Sequence, residues 1–167
     1  MKFFFTKKNS NSNGDLFNIT DIHKKKINIK LLKAKTLFGV EQNYNTKIIK
    51  WVIDFNKIQF FELIEKSLLK EFKLYKINNV NTRVIKKRNY PPMVYTKIAN
   101  NKLSNDIIHH EKGEITSYSD ITKNNLYDID LTLENIFVKK DREAYTLYYN
   151  LEINHIKKNN DALFINK

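Results

Sequence analysis

A chain of 167 residues with 41% hydrophobic side chains has the size of one globular domain, because two would each struggle to bury enough apolar surface. Its 30 Lys and Arg stand against 18 Asp and Glu, and it has no cysteine, which excludes disulfides, thiolate metal sites and cysteine nucleophiles. No apolar run approaches the roughly 20 residues of a membrane span, and MKFFFTKK is too short for a signal peptide, so an intracellular, cytoplasmic protein with no membrane partner is expected.

Residues 1–20 read as a flexible arm or an edge strand: Phe3 to Phe5 are apolar, and Lys7 to Gly14 are polar without periodicity. From Lys24 to Phe38 the chain alternates twice with a slip between, first through Ile27, Ile29 and Leu31, then through Leu32, Ala34, Thr36 and Phe38. Such a slip marks a long strand that bends at a barrel corner. Gly39 to Asn45 reads as a turn. Lys47 to Phe55 returns with Ile49, Trp51, Ile53 and Phe55 on one face, which makes Trp51 a core residue rather than a stacking platform.

One helix is expected over about residues 56–73. Asn56 is its candidate cap, with Gln59 in a weak capping box, and Ile58, Phe61, Ile64, Leu68 and Phe72 form its apolar stripe. Pro91 and Pro92 force extended backbone ahead of a strand through Met93 to Ile98. Residues 100–114 read as a loop with one helical turn, and Glu114 to Tyr118 as a short strand. Tyr127 to Ile156 has the two-residue period of two long strands, with a bulge after Asn135 and a charged loop of three to five residues within Lys139 to Glu143. Lys157 to Lys167 reads as a loosely docked tail.

These elements predict a mainly β fold: a coiled antiparallel sheet that closes into a β-barrel with one central α-helix. Residues 21–156 would be the single domain, with 1–20 as its arm and 157–167 as its tail.

The charge is unevenly spread. Residues 1–100 hold 21 basic and 7 acidic side chains, whereas 101–167 hold 9 and 11. A field of this kind attracts a polyanion, most commonly nucleic acid. A protein that holds a single strand without reading it needs cations for the phosphates and flat side chains for the unpaired bases. The candidates are Lys24, Lys25, Lys26, Lys33, Lys35, Arg83, Lys86, Lys87, Arg88, Tyr90, Tyr95 and Tyr148.

The strand and helix layout resembles the oligonucleotide-binding barrel, the OB fold. NYPPMVYTKI, Asn89 to Ile98, followed by YDIDLTLENIFV and a return strand, is similar to the arrangement in small single-stranded DNA-binding proteins of phages, viruses and linear plasmids. The resemblance implies a sequence-neutral binder of replication or recombination intermediates, acting where such DNA is replicated, with DNA favoured over RNA. A homo-oligomer is common among binders this small. The acidic tail of many such proteins is missing, since HIKKNNDALFINK carries a net charge of +2.

Other classes have weaker support. Asp128, Asp130 and Glu134 share the polar side of one strand and could hold Mg2+ in a nuclease, although no lysine accompanies them in a recognisable arrangement. The adjacent His109 and His110 would diverge on a strand and make no zinc site. Isolated glycines leave no phosphate-cradling loop, so no cofactor is expected. A basic structural or interaction protein, in a virion or another assembly, would use the same charge without the aromatics.

Overall fold

The computed structural model describes residues 2–44, 46–98, 121–123, 125–142 and 144–159. In chain order the strands before the helix are β1 (Phe4–Asn11), β2 (Gly14–Thr20), β3 (Ile27–Ala34), β4 (Thr36–Asn43) and β5 (Thr46–Val52). The helix α1 (Phe55–Glu71) is followed by β6 (Ile77–Asn81), β7 (Val84–Ile85), β8 (Met93–Ile98), β9 (Leu126–Asp141) and β10 (Ala144–Asn159). The loop expected over 100–114, the strand over 114–118, the histidines at 109 and 110, and the end of the tail at 160–167 lie outside the described residues.

The two 16-residue strands β9 and β10 form the spine. Their alternation buries Ile129, Leu131, Leu133, Ile136 and Val138 on one strand and Leu147, Tyr149, Leu151, Ile153 and Ile156 on the other. A strand this long cannot stay in phase with a bending core, and the ladder slips twice, leaving Glu134 and Asn154 without opposite partners. The first slip falls one residue before the predicted position. Asp141 pairs directly with Ala144, so the connection is a two-residue turn and not the longer loop expected. Arg142 takes a positive φ of 51°, a conformation that composition favouring glycine or asparagine would have signalled.

Shorter strands line both sides of this spine. β2 and β3 pair in succession along β9, and β6 and β8 pair along β10, both of the latter in parallel. The hydrogen-bonded path runs β1-β2-β9-β10-β8-β5-β4 and has two ends. The expected closed antiparallel barrel is therefore corrected: the sheet is open and mixed, and the OB-fold resemblance fails with it. Two features hid this from the residues. Parallel pairing needs long connections that leave no local pattern. The alternating run from Lys24 to Phe38 is two strands on different ladders, β3 on β9 and β4 on β5, divided at Lys35 after Lys33 turns to a φ of 52°.

Helix α1 packs Ile58, Phe61, Ile64 and Leu68 into the core, with Phe72 buried just beyond its end. Each such side chain contributes ~1.5–3 kcal/mol over its exposed state. The cap is Asp54 and not Asn56, its carboxylate accepting the Lys57 N–H at 2.8 Å. This is the longest helix described, and among the described residues no helix is long and apolar enough to cross a membrane.

The polar segment Lys7–Gly14 is a hairpin ladder, since β1 and β2 pair from Phe4–Thr20 to Asn11–Gly14. Aromatic rings pin it: Phe72 meets Phe5 at 4.8 Å and Phe17 at 4.9 Å, both edge to face. Gly14 starts β2 against Lys139 with a φ of 151°, and a Cβ there would lie 2.2 Å from the Val138 carbonyl oxygen. Gly14→Ala should therefore destabilise the protein by ~2–3 kcal/mol, read as a lower denaturant midpoint, with amide protection lost first over β1 and β2.

Candidate functional site

The loop between β7 and β8 carries the densest cationic run and bends back over the start of α1. Pro91 and Pro92 hold it extended, and the Ile53 N–H donates to the Pro92 carbonyl at 3.0 Å, tying it to the end of β5. One groove of about 520 Å³ lies between this loop and α1, lined by Phe55, Gln59, Lys86, Lys87, Arg88 and Tyr90. Beyond Lys87 and Tyr90 a second depression continues to Phe38 and Lys50. Phe38 in turn borders a third, with Gln42, Lys47 and Lys123. The first two share Lys87 and Tyr90 and form one furrow, whereas the third lies on the other face of the β4–β5 ladder, with Val40, Gln42 and Lys47 on the side of Ile49 and Trp51.

Three aromatic side chains stand along the furrow with large exposure: Phe55 at 69%, Tyr90 at 46% and Phe38 at 37%. Phe38 and Tyr90 touch edge to face at 5.6 Å. Exposed rings beside Lys87 and Arg88 make the β7–β8 loop an apolar and positively charged patch. The cations between them are not equivalent. Lys86 is engaged by Glu62 at 2.6 Å, which holds that carboxyl below its usual range by the hydrogen bond first and the charge second. Lys50 is paired with Glu41 at 2.9 Å while its ammonium sits 5.3 Å from the Phe38 ring centre. Lys87 and Arg88 are exposed and, among the described residues, have no ion pair.

Of the candidates read from the residues, the structure brings together Lys86, Lys87, Arg88 and Tyr90. Lys33 and Lys35 border a separate hollow with Leu32 and Lys57 beside the helix start. Lys24, Lys25 and Lys26 lie in the β2–β3 loop, which Asp21 shapes by accepting the His23 and Lys25 N–H groups at 2.8 and 2.9 Å. Lys26 reaches Glu134 at 3.0 Å.

Arg83 is placed inside. It is 9% exposed, its Nε donates to the Tyr149 carbonyl at 2.7 Å and a terminal nitrogen donates to Asn150 Oδ1 at 3.2 Å. Its guanidinium lies 5.2 Å from the Tyr95 ring centre, and burial lowers its pKa. Tyr95 is half-buried with its hydroxyl accepting from Asn43 at 3.1 Å. Tyr148 sits in the body of the sheet, between Phe137 of β9 and Asn81 of β6.

Phe38, Phe55 and Lys50 were not among the candidates. Phe55 continues the alternation of β5, but Asp54 caps a helix there and turns the ring outward. Phe38 sits beside Gly39, whose φ of 70° coincides with a register slip between Thr36 and Val40. That glycine was the available signal.

The three carboxylates of the nuclease reading each have partners. Asp128 accepts the Lys33 N–H at 2.9 Å and the Asn159 amide at 3.0 Å, Asp130 lies 3.9 Å from Lys30, and Glu134 holds Lys26. Among the described residues no three His, Asp or Glu side chains are placed to hold a metal ion.

Fold and furrow together describe a mixed β-sheet protein with a furrow lined by cations and exposed aromatic rings. No protein-family model matches the chain, and neither a curated protein nor a solved structure is found to be similar to it.

Proposed function

We propose that this protein binds single-stranded nucleic acid without reading its sequence, along the furrow from Phe55 past Tyr90 to Phe38. The observation that supports this reading is that the exposed rings of Phe55, Tyr90 and Phe38 border the same furrow as Lys87 and Arg88, which have no ion pair among the described residues. Rings accept any base by stacking, and cations accept any phosphate. A duplex offers no unstacked bases to such rings, so single strands are preferred. With the barrel resemblance gone, the fold lends no support of its own; the surface carries the reading.

Fluorescence anisotropy with labelled single-stranded DNA, single-stranded RNA and duplex DNA across a salt series tests it. The expected result is tighter binding to a single strand, DNA foremost, falling with salt. Replacing Lys87 and Arg88 together by alanine should reduce the slope of log K against log salt by about 1.4 on single strands. Equal, weak binding of all three polymers would overturn the reading in favour of a basic surface that meets an acidic protein.

A further inference from the structure

The hairpin between β4 and β5 carries a residue that its turn does not favour. Asn43 pairs with Thr46, so Tyr44 opens a two-residue connection, with its backbone in the left-handed region at a φ of 51°. An aromatic residue there strains the backbone in a way that asparagine or glycine relieves. Its side chain contributes nothing to the core, being 94% exposed. Among the described residues its ring and hydroxyl have no partner.

The tip is nevertheless held firmly. The Gln42 amide donates to the Tyr44 carbonyl at 2.6 Å, the Thr46 hydroxyl donates to the Asn43 carbonyl at 3.0 Å, and the Asn43 amide donates to the Tyr95 hydroxyl at 3.1 Å. Asn43 and Tyr95 lie on the face of the β4–β5–β8 ladder that carries Lys50 and Phe38, so the tip stands at the end of that face. A strained, exposed ring on a braced turn at the margin of an aromatic face is placed for contact rather than for stability.

We propose that Tyr44 is a further binding residue, stacking on a base of the single strand after it leaves Phe38 and lengthening the occupied site. This rests on the reading of the furrow given above. A nucleotide at the hairpin tip has no neighbouring ring to share, so Tyr44 acts on longer strands only.

The test is anisotropy with oligothymidines of increasing length on the wild-type chain, Tyr44→Asn and Tyr44→Phe, with thermal unfolding of each. Tyr44→Asn should unfold at the same temperature or a few degrees higher. It should match the wild type on the shortest oligomers that bind and be weaker on long ones by about 5- to 100-fold, as expected for one lost stack. Tyr44→Phe should bind as the wild type does. A wild-type chain that binds while Tyr44→Asn binds every length equally well overturns this proposal and leaves the furrow intact. A clear fall in unfolding temperature in Tyr44→Asn would assign the ring to the fold and overturn it too. A wild-type chain that binds no single strand overturns both readings.

Discussion

Replacing Arg83 by alanine should lower the free energy of unfolding by ~3 kcal/mol, whereas Arg88→Ala should change it by less than ~0.5 kcal/mol. The first side chain leaves the Tyr149 carbonyl and Asn150 without their donor and removes a stem packed against Tyr95. The second is exposed. Chemical denaturation of the two variants side by side checks the contrast, and equal midpoints would show that Arg83 is not the buried anchor described. The same network sets an alkaline limit. Tyr149 donates to Glu65 at 2.6 Å, and burial first, then the Glu65 charge, raises its pKa above the usual phenol value. A raised pKa gives stability that is complete below the unfolded value near 10 and is lost as pH rises beyond it toward the folded value. Wild-type stability should therefore fall above about pH 10, and Tyr149→Phe should fall less steeply there while starting ~1–2 kcal/mol lower at neutral pH.

Trp51→Ala should be more damaging still, at ~4 kcal/mol. Trp51 is fully buried, its indole N–H donates to the Thr96 hydroxyl at 3.1 Å, and its ring meets Tyr127 edge to face at 5.7 Å. A loss of that size is a large part of the roughly 5–15 kcal/mol that stabilises a domain. Burial also makes the indole a silent reporter. Its emission should shift on unfolding but stay nearly constant when a ligand fills the furrow, where the exposed rings are Phe and Tyr. A denaturant midpoint within 1 M of the wild type's would contradict the core placement at typical urea slopes of about 1–3 kcal/mol per molar.

What could be read from the residues was what depends on neighbours in the chain. The stripe Ile58, Phe61, Ile64, Leu68 announces α1, and the alternation through Leu131 and Leu147 announces β9 and β10, because periods of 3.6 and 2 are local. Ladder partners are not. Nothing around Ile77 or Lys97 says that both strands run parallel to β10, and nothing around Lys35 says that β3 and β4 part company there. Arg83 looks like one more cation in a run that continues to Arg88, yet its fate is decided by a carbonyl 66 residues away. Conversely, Phe55 and Phe38 keep step with apolar neighbours and still face water, one turned by a capping aspartate and the other by a glycine bulge. The cationic part of the furrow was legible; two of its three exposed rings were not.

The central hairpin has a consequence for the order in which the protein can be made. β2, β3, β6 and β8 all find their ladders on β9 or β10, and the ribosome delivers those two after everything else described. At about 5–20 residues per second, β2 waits on the order of ten seconds for the strand it is to join. Until then β3 and β6 have no ladder partner, whereas β1 with β2, and β4 with β5 and β8, can already pair. The excess of lysine in the first hundred residues makes close approach between those waiting segments less favourable.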